Sequence, residues 1–146
     1  MRLERAAWRT QPWKNGGGTT HEIWRAPDAD AYDVRVSLAE VTGSGPFSVF
    51  PGYRRWTFLV GPAPITLVGE LPIELVAIGD HVELPGDAAL TATLRGGPTQ
   101  LLNVLARVPI VVGHGPTAHP VRFVFDLAHH KAWLDERATM GCVWIA

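Results

Sequence analysis

Apolar and polar residues alternate along most of this chain, with the period of two that a half-buried strand imposes. The cleanest run is 32–41, Tyr-Asp-Val-Arg-Val-Ser-Leu-Ala-Glu-Val. Tyr32, Val34, Val36 and Leu38 fall on one face, and Asp33, Arg35, Ser37 and Ala39 on the other. Residues 54–60, rich in aromatic and β-branched types, read as a second strong strand. Residues 100–107 form an apolar strand in which Asn103 stands alone. Shorter strands are predicted at 22–25, 47–50, 65–68, 73–76, 81–84, 90–94, 110–112, 121–125 and 142–145, with an edge strand at 3–8. Turns rich in Gly, Pro and Asp separate them, as at 43–46, 51–53, 69–72, 85–87 and 96–98. One short C-terminal helix is expected: Asp126 can cap it, and 127–137 has few glycine or β-branched breakers. Tight spacing leaves no room for crossover helices, so the expected fold is all-β. A jelly-roll barrel of two packed sheets, one domain over 1–146, suits this pattern, and its tapered interior can hold a small ligand.

Composition then narrows the partners. A formal net charge of -1 provides no overall field for nucleic acid or anionic membrane. Arg54, Arg55 and Trp56 alone are a weak electrostatic footprint, so no nucleic acid is expected. No window approaches the roughly 18 apolar residues of a membrane helix. Residues 1–15 alternate charged and apolar types, so neither a signal peptide nor an anchor is expected there. Cys142 has no second cysteine to pair with, which points to a reducing, cytoplasmic setting. An apolar edge such as 110–112 would let two copies pair as a homodimer.

Candidate chemistry gathers at 12–23, Pro-Trp-Lys-Asn-Gly-Gly-Gly-Thr-Thr-His-Glu-Ile. The stretch is either a flexible turn or a pocket wall. As a wall, Trp13 is a platform, Lys14 a fixed charge and Asn15 a donor–acceptor pair, while Gly17 lets the backbone approach closely. Lys14 is one of two lysines beside eleven arginines. This is no phosphate loop, because Lys14 precedes the glycines and no helix pattern follows them. Arg35 shares a strand face with Ser37. If that face turns inward, Arg35 needs an anion: Asp33, Glu22 or a ligand carboxylate. It is then either an ion pair that pins the sheet or a carboxylate clamp. Asn103, similarly, is either a structural tie or a ligand contact.

Four stretches in order resemble the HutD/Ves family of small cupin-fold proteins. They are the 12–23 segment, the Arg-Val-Ser strand within 32–41, Gly-Pro-Phe-Ser-Val-Phe-Pro-Gly-Tyr at 45–53, and Gly-Gly-Pro-Thr-Gln-Leu-Leu-Asn-Val at 96–104. Val34 stands where the family usually carries a tryptophan, Arg54 where an acidic residue is common, and Leu102 where an aspartate is common. The resemblance implies a cupin-like barrel without an established catalytic activity, associated in bacteria with histidine utilisation. Urocanate and formiminoglutamate are the pathway compounds it puts first.

Many cupins hold a metal on a His-x-His pair, a glutamate and a later histidine. Here no His-x-His occurs; His21, His81, His114 and His119 are scattered, and His129 and His130 are adjacent. No metal or other cofactor is expected. Cys142 lies in an apolar strand and behaves as a small hydrophobe. No Gly-x-Ser-x-Gly elbow is present, so no catalytic residue is assigned. The expected function is non-catalytic binding of a small anionic or amide-bearing metabolite. Lys14, Arg35 and Arg55 would supply charge, Asn15, Ser37 and Asn103 hydrogen bonds, and Trp13 a stacking face. The alternative is a metal-independent isomerase or lyase acting on a small acid, which needs an acid and a base in the cavity. His21 and Glu22 are adjacent and should face opposite sides of their strand.

Overall fold

A computed structural model describes residues 1–146. Its strands in chain order begin with β1 (Arg2–Leu3), β2 (Arg9–Pro12), β3 (Gly18–Ala26), β4 (Val34–Val41) and β5 (Gly45–Pro46). Next come β6 (Arg54–Leu59), β7 (Ile65–Val68), β8 (Pro72–Leu75), β9 (His81–Pro85) and β10 (Thr91–Leu94). The last are β11 (Thr99–Ala106), β12 (Val112–His114), β13 (Val121–Asp126), β14 (Lys131–Glu136) and β15 (Cys142–Ile145). The backbone forms two compact units, Arg9–Arg107 on one hand and Met1–Trp8 with Val108–Ala146 on the other.

The larger unit has a six-stranded sheet, in the order β2-β3-β4-β11-β6-β9, and a four-stranded sheet, β5-β10-β7-β8. Ala39, Val41, Leu59 and Leu101 from the first pack with Ile65, Leu67, Leu75 and Ala92 from the second. Burial of these apolar faces drives the two sheets together. β11 lies between β4 and β6, and its register sets three cross-strand rows on the inward face. These are Ala39–Leu101–Leu59, then Ser37–Asn103–Thr57, then Arg35–Leu105–Arg55. The first row is core. The next two are largely polar, so one face of three strands runs from a packed plug to a polar chamber. On the opposite face Val36, Leu38, Leu102 and Val104 are buried.

Strict alternation at 22–25 would put Glu22 and Trp24 on one face. The pairing of β3 with β4 instead shifts between those two residues. A bulge of this kind inserts one extra residue. Glu22, opposite Ser37, and Arg25, opposite Arg35, therefore reach the same inward face.

The smaller unit is a five-stranded sheet, β1-β14-β13-β15-β12. Phe123, Phe125, Ala132, Val143 and Ile145 are buried in it, and Val124, Ala138 and Cys142 pack with Trp133 and Trp144. The helix expected over 127–137 does not form. Its capping signal is real: Asp126 Oδ1 accepts the N–H of Ala128 at 2.9 Å and of His129 at 3.1 Å. The chain then turns back through His130, whose φ is 53°. It enters β14, which pairs with both β1 and β13. Burying Ala132 across from Phe125 outweighs local helix preference. Other boundaries also move. The strand expected at 3–8 is β1 followed by a 3-10 turn, Arg5–Ala7. Residues 47–50 have no strand pairing, and the edge strand begins at Val112 rather than Ile110. No helix is long and apolar enough to cross a membrane.

Candidate functional site

The polar rows open into a cavity of about 560 Å³, lined only by residues of the larger unit. Seven of the eight predicted residues line it: Trp13, Lys14 and Asn15 from the β2–β3 loop, Arg35 and Ser37 from β4, Arg55 from β6, and Asn103 from β11. Gly17 does not. The lining also includes Phe47, Ser48 and Phe50, which the alternation pattern had assigned to a strand. The signal for their role was the phenylalanine pair ahead of Pro51-Gly52: a turn there lets both rings fold back over a sheet.

The glycine loop is held on several sides. Gly16 takes φ 74°, a conformation that costs glycine little. Gly17 donates its N–H to Asn15 Oδ1 at 2.9 Å, and its carbonyl accepts the N–H groups of Thr42 and Gly43 at 3.0 and 3.1 Å. Trp13 Nε1–H donates to Thr20 Oγ1 at 2.8 Å. The Trp13 ring meets Phe47 edge-on, with centroids 5.8 Å apart. The loop is thus a packed wall, and Gly17 acts by fixing Asn15.

The arginines differ sharply in their surroundings. Arg35 Nε donates to Glu22 Oε2 at 2.8 Å. Glu22 Oε1 also lies 3.4 Å from Arg9 Nη1 and from Arg25 Nε. Of the anions considered for Arg35, Glu22 is the partner; Asp33 instead pairs with Arg107 at 2.8 Å. Arg35 thus pins the sheet while lining the cavity. Glu22→Gln should leave Arg35 without its carboxylate, while Arg9 and Arg25 keep Asp28, 3.0 Å from each. Charge-assisted hydrogen bonds of this kind contribute about 1.5–3 kcal/mol, so a drop in stability of that order in chemical denaturation is expected. An unchanged midpoint would show that the cluster is solvated.

Arg55 has no such partner. It is 6% exposed, and its one hydrogen bond runs from Nη1 to the Ser48 carbonyl at 3.2 Å. Its Nε is buried without a partner. The Phe47 and Phe50 rings stand 5.6 and 5.3 Å from its guanidinium carbon, an arrangement that offsets part of the lost hydration. Burial pulls its pKa down to about 10, so it stays charged at neutral pH. Asn103 Oδ1 accepts from Thr57 Oγ1 at 2.7 Å. An amide whose oxygen is engaged has its N–H groups left to offer. The lining contains Lys14, Arg35 and Arg55 and no Asp, Glu, His or Cys.

The histidines lie elsewhere. His21, facing away from Glu22, has Nδ1 2.8 Å from Thr10 Oγ1, and Nε2 3.2 Å from Glu40 Oε2 but off the hydrogen-bonding direction. His81 stacks on Phe58, and His129 Nδ1 is 2.9 Å from Asp126 Oδ2. No three His, Cys, Asp or Glu side chains converge. Cys142 is buried, with its sulfur 3.6 Å from Thr139 Oγ1.

The HutD family model matches residues 5–134. The chain belongs to the HutD family. It is 36% identical over 97 residues to an uncharacterized 21.2 kDa protein in the hutC 3′ region of Pseudomonas putida, covering 64% of this chain and 51% of that protein. It is 35% identical over 105 residues to Protein Ves of Citrobacter koseri, covering 65% and 51%. The matches thus span about half the length of these curated relatives. The solved structure of HutD from Pseudomonas fluorescens SBW25 superposes with a TM-score of 0.80 at 25% identity, covering 99% of this chain and 96% of that one. A Cupin_2 domain from an Enterobacter cloacae transcriptional regulator shares the fold, with a TM-score of 0.52 at 8% identity over 64% of this chain and 98% of that domain. The all-β architecture expected from the strand pattern, and the cupin-like form implied by the family resemblance, are therefore the fold of this HutD-family chain.

Proposed function

We propose that this HutD-family protein is a non-catalytic binding protein whose cavity takes a small anionic or amide-bearing metabolite. The observation that carries this reading is Arg55, a buried guanidinium with an unpartnered Nε in a cavity whose lining holds no carboxylate. A buried charge of this kind is costly until an anion meets it. Lys14 adds positive charge, and Asn15, Ser37 and Asn103 add hydrogen-bonding groups. The alternative, a metal-independent isomerase or lyase, needs an acid and a base facing the ligand. Lys14 is the one lining group suited to proton transfer, and no carboxylate, imidazole, thiol or phenol lines the cavity to act as its counterpart, which favours binding over turnover. A cytoplasmic, regulatory role in histidine utilisation is proposed from the hutC-region setting of the Pseudomonas putida relative.

Urocanate and formiminoglutamate are the first compounds to titrate. A ligand at tenfold excess over its dissociation constant stabilises the folded state by about 1.4 kcal/mol. A rise in melting temperature with either compound is expected, with matching heats in calorimetry. Silence from both at millimolar concentration would remove the histidine-pathway part of the proposal.

A further inference from the structure

The class of ligand follows from counting charges in the cavity, an inference that rests on the binding reading above. We infer that the site is built for one monovalent carboxylate seated on Arg55, carried on a flat apolar body with a hydrogen-bond acceptor at its far end. Of the three lining cations, Arg35 is already held by Glu22 at 2.8 Å. Lys14 is exposed and keeps its water. Arg55 alone is buried without a counter-charge. The enclosed part of the cavity is therefore short of one negative charge.

The shape of the free edge specifies the group. Ser48 holds the Nη1 side of Arg55, and the edge formed by Nε–H and Nη2–H has no partner; Nε is closed off from water, so a carboxylate reaches that edge as the Phe47 or Phe50 ring gives way. Two parallel donors match the two oxygens of a carboxylate. A phosphate monoester carries about two charges at neutral pH. Its second charge would be desolvated beside Phe47, Phe50 and Leu105 with nothing to meet it. A second carboxylate meets the same obstacle unless it reaches Lys14. The rings of Trp13, Phe47 and Phe50 suit a flat, apolar body. Asn103 and Ser37 lie on the row next to Arg55, two residues along the strands, or roughly 7 Å. From there the Asn103 NH2 can donate to an acceptor at the ligand's far end.

Four small probes separate these features by calorimetry at neutral pH: isonicotinate, its neutral amide isonicotinamide, terephthalate and phenyl phosphate. Isonicotinate should bind roughly tenfold or more tightly than the other three, as a charge-assisted bidentate contact predicts. Arg55→Gln should erase its advantage over isonicotinamide. Arg55→Lys, which keeps the charge but loses the fork, should erase most of it and serves if the glutamine variant does not fold. Equal or tighter binding of terephthalate or phenyl phosphate overturns the single-carboxylate inference and leaves the binding reading standing. Silence from all four probes also overturns the inference. The urocanate and formiminoglutamate titrations decide separately whether the cavity binds metabolites of that pathway.

Discussion

Arg55→Met is expected to make the protein more stable while abolishing its response to anions. Burial pulls the Arg55 pKa down to about 10, which corresponds to a penalty on the order of 3 kcal/mol on the buried charge. That penalty is present at every pH below 10. Above about pH 10 the folded site gives up the proton more readily than the unfolded chain does, so this site's contribution to stability rises with pH there. Methionine removes the charge, keeps most of the length and packs its sulfur against Phe47 and Phe50. The lost hydrogen bond to Ser48 costs little, because Ser48 is exposed and its carbonyl can turn to water. A net gain of about 1–3 kcal/mol follows, in line with apolar replacement of other buried charged groups. In a chain of this size each kcal/mol moves Tm by roughly 2–4 °C. The variant should melt higher than the parent in a ligand-free thermal scan, and added carboxylates should no longer shift it. A lower Tm would mean that the guanidinium is already compensated, and the case for an anion site would go with it. Stability given up at a binding site in this way is a common trade between folding and function.

The contrast between Arg55 and Arg35 also marks how far residues alone could go. The alternation of 32–41, 54–60 and 100–107 was plain, because each strand carries its own two faces in its sequence. Those three runs became β4, β6 and β11, and their polar positions became the chamber. Register was not plain, since it depends on partners distant in the chain. Nothing local says that Asn103 stands between Ser37 and Thr57. Nor does any local signal separate two arginines that share one sheet face with β11 between them. Their difference arises in β3, where Glu22, opposite Ser37, comes within 2.8 Å of Arg35 and no carboxylate meets Arg55; the bulge that follows sets Arg25 rather than Trp24 opposite Arg35. Residues 127–137 misled for a related reason. The Asp126 cap and the helix-compatible composition were genuine local signals, and pairing with β1 and β13 overrode them. Phe47 and Phe50 read as strand residues because aromatic content favours strands, yet segment 47–50 forms no strand ladder; its backbone bonds singly to the Leu90 and Gly86 carbonyls, and its side chains line the cavity.

Gly18→Ala should be among the most damaging single changes in the site, although it adds only one carbon. A Cβ there would press on the carbonyl oxygen of Glu40 and stand 3.0 Å from the Trp13 ring. Glu40 belongs to β4, and Gly18 opens β3 in register with Val41. The clash cannot be relieved by a side-chain rotation, since one obstacle is backbone and the other is a ring held by Thr20 and Phe47. Either the start of β3 lifts away from β4 or Trp13 leaves the cavity wall. Overpacking of this kind costs about 1–3 kcal/mol, and the backbone obstacle puts Gly18→Ala at the upper end. Gly16→Ala is the control. Its φ of 74° penalises a side chain, but a Cβ there meets nothing within 4 Å, so a backbone cost of about 1–2 kcal/mol is expected with Trp13 undisturbed. The two variants therefore separate in binding more than in melting. Gly18→Ala should weaken carboxylate binding because the wall beside Arg55 has moved, whereas Gly16→Ala, measured well below its own Tm, should bind nearly as the parent does. If Gly18→Ala melts and binds like the parent, the β2–β3 loop is looser than its contacts indicate, and Trp13 cannot be part of a preformed wall.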